Sequence, residues 1–243
     1  MWVVVGASSG LGRALAEELA RRGQDLLLAA SDARDLEALA PDLRLRFGVS
    51  VEWVAHDGMD HAGLADSLFA QAEAAPAIEG IMLPIGSVDD EDDGLLSPDR
   101  AERLVHVNLL AVSTVVSRFL PRLERERGGR LIGFGSIAAS RGRSRNPLYA
   151  AAKGGLATYF EGLRHRCEPR GVGVTFYVLG YLDTAMAYGK PLLLRPADPA
   201  RVARRICDRL GRDTGRHYLP RFWGPLCWGI RSLPWFLFKR LQV

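Results

Sequence analysis

Trp2-Val3-Val4-Val5-Gly6-Ala7-Ser8-Ser9-Gly10-Leu11-Gly12 stands at the head of the chain and decides how the rest is read. Three valines followed at once by glycines read as a short buried strand running into a tight turn. Leu15, Leu19 and Ala20 then recur at helical spacing, so a helix starts where the turn ends. Glycines let a backbone turn sharply and approach a ligand closely, while the free amides at a helix start attract an anion. A dinucleotide pyrophosphate suits that position, with Gly6, Ser8, Ser9, Gly10, Leu11 and Gly12 around it. The spacing is G-x-x-x-G-x-G rather than G-x-G-x-x-G, and a tight turn without a ligand also accounts for such a motif in isolation.

Outward from this unit the pattern repeats. Apolar runs rich in Val, Ile and Leu at 2–5, 25–30, 51–55, 78–83, 130–135 and 172–179 are each followed by a longer helix-patterned stretch. Continuously apolar strands joined by helices imply a parallel sheet covered on both faces. The expected fold is therefore α/β: a doubly wound, Rossmann-type parallel sheet in a single domain, with a short amphipathic helical appendage at the C-terminus. A chain of 243 residues, 48% hydrophobic and 25% charged, suits one such core. Ser97-Pro98 predicts the start of a long helix reaching about Arg127, with Gly128-Gly129 ending it. The catalytic domain is expected over 1–215 and the tail over 216–243.

Three cysteines, Cys167, Cys207 and Cys227, form no C-x-x-C pattern, which argues against a disulfide framework and a zinc site. A reducing, cytoplasmic compartment is expected, and residues 1–6 lack the charged n-region of a signal peptide. The five histidines show no ligand spacing. Asp89-Asp90-Glu91-Asp92-Asp93 reads as a solvated loop in preference to a divalent-cation site. No metal is expected.

At the end of the second strand, Ala30 stands where a carboxylate would meet a ribose 2′-hydroxyl. With no acid there, Ser31 and Arg34 are free to meet a 2′-phosphate. NADP(H) is favoured on this reading, and Asp32 keeps NAD(H) open. Asp57, after the third strand, is placed to meet an adenine amino group or to serve as an exposed turn residue.

The fifth strand ends in Gly133-Phe134-Gly135-Ser136, and Tyr149-Ala150-Ala151-Ala152-Lys153 opens an Ala-rich helix thirteen residues later. Tyr149 and Lys153 share a helical face. A phenol, with an ordinary pKa of about 10, transfers protons poorly near neutrality unless a cation favours its ionised form, and Lys153 offers one. Ser136, at the carboxyl end of a strand, is placed to hold a substrate oxygen.

The glycine turn, the strand-end Ser and the Tyr/Lys helix together resemble the short-chain dehydrogenase/reductase family, from Met1 to about Met186. The resemblance implies that Tyr149 is the general acid/base, that Lys153 lowers its pKa and bonds the nicotinamide ribose, and that Ser136 orients the carbonyl. It implies that Asn108 holds a relay water, that Gly86, Gly180 and Thr184 border the cofactor, and that homodimers or homotetramers pair through 105–119 and 156–163. Two stretches depart from the family pattern. Leu83-Pro84-Ile85-Gly86 replaces Asn-Asn-Ala-Gly, and Leu179-Gly180 lacks the usual Pro.

Residues 195–243 hold eleven Arg or Lys against three Asp, a net +8, with −4 over the remainder. In the tail, Trp223, Trp228, Trp235 and Phe238 interleave with Arg221, Arg231, Lys239 and Arg240, and Pro225 and Pro234 each suit a helix start. Such a mixture suits an anionic membrane interface, packing on the body or a subunit contact. Nucleic acid is not expected, because no recognition motif accompanies the charge. The loop Arg141-Gly142-Arg143-Ser144-Arg145 lies between Ser136 and Tyr149, where its arginines would clamp an anionic substrate. Loop and tail together are similar to a narrower branch of the family, the decaprenylphosphoryl-ribose 2-keto reductases. That branch implies a keto-sugar on a lipid phosphate carrier, handled at the inner face of the membrane. A soluble reductase of another apolar ketone, and a non-catalytic scaffold of the same fold, are the competing readings.

Overall fold

The computed structural model describes every residue except Ser9, 186–188, 190–193 and 242–243. Seven parallel strands form one sheet in the order β3-β2-β1-β4-β5-β6-β7. They are β1 Trp2–Val5, β2 Leu26–Ala30, β3 Val51–Ala55, β4 Gly80–Leu83, β5 Arg130–Ser136, β6 Gly173–Leu179 and β7 Gly215–Leu219. All four residues of β1 are buried because both faces are covered. Val3 and Val5 enter one core with Phe119, Leu156 and Phe160, whereas Trp2 and Val4 enter the other with Leu15, Leu36 and Ile206. On the second face lie α1 Gly10–Arg21, α2 Ala33–Phe47 and α7 Pro199–Cys207. On the first lie α3 His61–Ala72, α5 Ala111–Glu126 and α6 Pro147–Cys167.

The predicted helix from Ser97 divides into α4 Pro98–Val105, a π-turn over His106–Leu110, and α5. Arg127, in the left-handed conformation at φ 50°, caps its end one residue before Gly128. The strand-end glycines of β5 have a packing cause. A Cβ on Gly133 would lie 2.5 Å from the Phe160 ring and one on Gly135 would lie 2.6 Å from Phe176, so one face of the strand is bare for these rings. Phe134, on the opposite face, stacks with Tyr177 at 6.1 Å.

The boundary expected at 215/216 falls inside β7. This strand pairs with β6 at the sheet edge, and its Arg, His and Tyr residues hide it from an apolar-run search. The tail proper follows it as α8 Trp223–Ser232 and α9 Trp235–Phe238, with Pro225 inside α8 and Pro234 capping α9. One side of the tail docks on the body: Trp223, Cys227 and Phe238 are buried. Gly180 makes room for Trp223, since a Cβ there would lie 2.0 Å from the indole Nε1, and Tyr181 meets the same ring edge-on. The other side is open, with Trp228 73%, Trp235 66% and Phe236 57% exposed.

Candidate active site

Where the strand order reverses, between β1 and β4, the carboxyl ends of the strands border a cavity of about 560 Å³. Ligands of open α/β sheets bind at such a switch point. Its floor is the turn after β1. Gly6 is left-handed at φ 95°, and a Cβ on it would meet the Ile85 backbone nitrogen at 2.8 Å. A Cβ on Gly12 would lie 1.8 Å from the Gly6 carbonyl oxygen, so both positions exclude any side chain. Gly10, at φ 51°, opens α1 and faces Thr184, whose methyl lies 3.1 Å from where its Cβ would be. Ser8, Leu11, Ser31, Asp57, Gly86, Gly180 and Thr184 all line the cavity, as the sequence predicts. Ser9 lies outside the described residues. A bare glycine cradle at a helix start fits a dinucleotide pyrophosphate.

Arg34 does not line this cavity. Its guanidinium is 88% exposed and donates to Asp32 at 2.7 Å, while Asp32 also accepts from the Arg34 amide as the cap of α2. Asp32 therefore does not turn inward as an acid at the ribose position. Asp57 caps its own turn, accepting from the Met59 amide at 3.0 Å, and stands 3.7 Å from Arg103.

Ser136, Tyr149, Lys153 and Phe134 form the far wall. The Ser136 hydroxyl accepts from the Ala138 amide at 3.1 Å and hydrogen-bonds with the Tyr149 phenol. Burial raises the phenol above its ordinary pKa, while Ser136 and the positive charge of Arg143 pull it back down. Lys153 is 5% exposed, and its ammonium donates to the carbonyls of Ile85 at 3.3 Å and Phe134 at 3.4 Å. Burial pushes it down to about 8. Arg143 thus adds a second positive charge on the cavity wall to that of Lys153, which stands one helical turn from Tyr149 in α6.

Asn108 lies in the π-turn and is fully buried. Its amide donates to the carbonyls of Ser87 and Leu104, and its oxygen accepts from the Ser87 amide. A Cβ on Gly86 would lie 2.9 Å from that oxygen and 3.1 Å from the Lys153 ammonium nitrogen. The absent side chain of Gly86 is what lets Asn108 and Lys153 converge.

The three loop arginines part company. Arg141 donates to the carbonyls of Ile230 and Leu233 and lies over the Phe238 ring at 4.0 Å, so it latches the tail instead of facing substrate. Arg145 is exposed and off the cavity wall. Arg143 lines the cavity, and its enclosed Nε has no hydrogen-bond partner. The Ser87 hydroxyl, also in the wall, is likewise enclosed and unpartnered. Spacing in a loop does not reveal direction, which is why sequence alone does not separate Arg143 from its neighbours.

A family model described as short chain dehydrogenase matches residues 1–191. An uncharacterized oxidoreductase of Mycobacterium tuberculosis is 28% identical over 242 residues, covering 98% of this chain and 96% of that protein. A 3-oxoacyl-(acyl-carrier-protein) reductase of Escherichia coli is 28% identical over 194 residues, covering 76% and 74%. Among solved structures, a short-chain dehydrogenase from Sphingobium yanoikuyae in complex with NADPH has a TM-score of 0.84 at 25% identity, covering 100% of this chain and 96% of that one.

The buried ammonium has a consequence for stability. Its folded pKa of about 8 lies below the ordinary 10.5, so the unfolded chain binds more protons between those values and stability rises across that window. Below about pH 8 the penalty is constant. Lys153→Met is expected to gain stability over wild type at pH 7, with the gain shrinking between pH 8 and 10. Denaturant unfolding without added nucleotide measures this, and a pH-independent difference contradicts it.

Proposed function

The chain belongs to the short-chain dehydrogenase family, nicotinamide dinucleotide-dependent oxidoreductases acting on alcohol and ketone groups, and from that premise we propose that it reduces the ketone of a keto-sugar carried on a lipid phosphate, with NADPH as cofactor. The observation carrying the substrate reading is Arg143, a guanidinium in the cavity wall with an enclosed, unpartnered Nε beside the reacting phenol. Such a group favours a ligand that brings an acceptor, and a phosphate is a strong one.

A nicotinamide dinucleotide held in the glycine cradle would supply the hydride. Everything else falls to residues of this chain. Ser136 donates a hydrogen bond to the carbonyl oxygen and holds it beside Tyr149. The phenol gives its proton to that oxygen as negative charge develops there, leaving a secondary alcohol. Lys153, one helical turn away, and Arg143 make the phenol a better acid by stabilising its ionised form. Lys153, fixed by the carbonyls of Ile85 and Phe134, holds the nicotinamide ribose, and with Asn108 borders the route by which the lost proton is replaced.

NADPH is the preferred cofactor on this reading because Ala30 and Ser31 present no carboxylate to a 2′-phosphate and Asp32 is occupied by Arg34. The NADPH bound to the Sphingobium yanoikuyae relative supports the same choice. The tail's open side, with Trp228, Trp235 and Phe236 among Arg231, Lys239 and Arg240, supports contact with an anionic membrane from the cytoplasmic side. Pairing through α5 and α6 would use the outer residues of those helices, since Val115, Phe119, Leu156 and Leu163 are buried within one chain. A soluble reductase of an acyl or similar apolar ketone is the second reading. The docked half of the tail and the 3-oxoacyl reductase relative favour it. A scaffold has no use for a buried ammonium aimed at a cofactor cradle.

Dihydroxyacetone phosphate and neutral dihydroxyacetone are the minimal pair of probe ketones, followed by NADPH oxidation at increasing substrate. Tyr149→Phe is expected to lower kcat by about 10²- to 10⁴-fold with nucleotide binding intact, and retained turnover sinks the mechanism. Arg143→Ala is expected to weaken use of the phosphorylated ketone by about 10- to 100-fold while sparing the neutral one. Equal losses on both dispose of the anionic-substrate reading. Vesicles containing anionic lipid are expected to sediment the wild-type chain and to release Trp228→Ala/Trp235→Ala. A chain that stays in solution with such vesicles favours the second reading.

A further inference from the structure

The acidic run after β4 is solvated at Asp90, Glu91 and Asp93, as its composition predicts, but not throughout. Asp92, in its middle, is 2% exposed. The groups that donate to it all lie at the start of α6, the helix that carries Tyr149 and Lys153.

That helix begins badly on its own. Asn146, at the cap position, has φ 55° and makes no side-chain capping bond, and Pro147 has no amide hydrogen to give. The free donors of the first turn are therefore the amides of Asn146, Leu148 and Tyr149. Asp92 takes all three. Its carbonyl oxygen accepts from Asn146 at 2.7 Å, Oδ1 from Leu148 at 3.3 Å, and Oδ2 from Tyr149 at 2.9 Å. A residue more than fifty positions away thus supplies the cap that the local sequence lacks, and its charge complements the positive end of the helix dipole.

The carboxylate is itself held. Arg100 of α4 pairs with Asp89, donating from Nε at 2.7 Å, and with Glu91, and the Asp92 amide donates to the Asp89 carbonyl at 3.2 Å. Gly94, left-handed at φ 99°, lets the loop lie against Pro147, whose Cγ is 3.9 Å from where a Cβ would stand. Arg100 stands on the same helical run that continues into the π-turn of Asn108. One loop therefore ties the helix of Asn108 to the helix of Tyr149.

We propose that Asp92 is a positioning residue: by gripping the backbone amide of Tyr149 from a loop clipped by Arg100, it sets the phenol against Ser136. This rests on the assignment of Tyr149 as proton donor. Displacements of about 1 Å at a reacting group cost on the order of 10²-fold in rate, so the effect belongs in kcat.

The test compares Asp92→Ala, Asp92→Asn and Arg100→Gln in the full chain. Turnover of dihydroxyacetone phosphate with NADPH gives kcat and KM, and hydrogen exchange reports the amides of residues 148–153. Asp92→Ala is expected to lose about 10- to 100-fold in kcat, keep its nucleotide KM within about two-fold, and expose the Leu148 and Tyr149 amides to exchange. Asp92→Asn, which keeps an acceptor oxygen, is expected to recover most of the loss, a rescue that a general folding defect would not show. Arg100→Gln removes no atom from the cap and is expected to give an intermediate loss. It carries the test if Asp92→Ala does not fold. A folded Asp92→Ala with wild-type kcat overturns the proposal, as does a loss of kcat with unchanged amide exchange. If the wild-type chain does not reduce the probe, the proposed function fails separately, and amide exchange still decides whether Asp92 caps the helix.

Discussion

A buried ammonium group constrains the whole active end of this molecule. Taking the Lys153 charge out of water is costly unless oxygen atoms replace its hydration. Two carbonyls meet part of that cost, Phe134 at the end of β5 and Ile85 after β4, and the Asn108 oxygen lies across the bare Gly86 from the ammonium. The π-turn has its reason here. One extra residue per turn brings Asn108 inward, where it also fixes both backbone groups of Ser87. Helix, strand and loop thus converge on one cation.

The fold was legible where burial is two-sided. Six runs rich in apolar residues and a glycine turn after the first imply a doubly wound sheet, because other arrangements leave those runs in water. β7 escaped the same reading because an edge strand is only partly covered and tolerates Arg216 and His217. In the site, Tyr149 and Lys153 were legible as a pair because four residues make about one helical turn. The Gly86–Asn108–Lys153 convergence was implied only by resemblance. Asp92 carried no usable signal, since a cap delivered across the chain has no local spacing, and Arg143 carried only one shared with Arg141 and Arg145, since three arginines in one loop look alike until the loop is folded.

The C-terminal segment joins two roles that composition presents as alternatives. Its buried side supports both walls of the cavity mouth: Trp223 fills the space over Gly180, and the backbone near Ile230 and Leu233 receives Arg141, which follows the turn after Ser136. Its open side carries Trp228 and Trp235. The open rings are therefore joined, through a few residues, to Ser136 and Thr184 in the cavity wall.

The bare face of β5 has a further meaning. With no side chain at Gly133, the separation between that strand and α6 is filled by the ring of Phe160, while Phe176 of β6 covers Gly135. Ser136 belongs to the strand, and Tyr149 and Lys153 to the helix. The thickness of one benzene ring thus acts as a shim between the strand that carries the hydroxyl and the helix that carries the phenol. Its calibre, as much as any polar contact, determines how far apart the hydroxyl and the phenol stand.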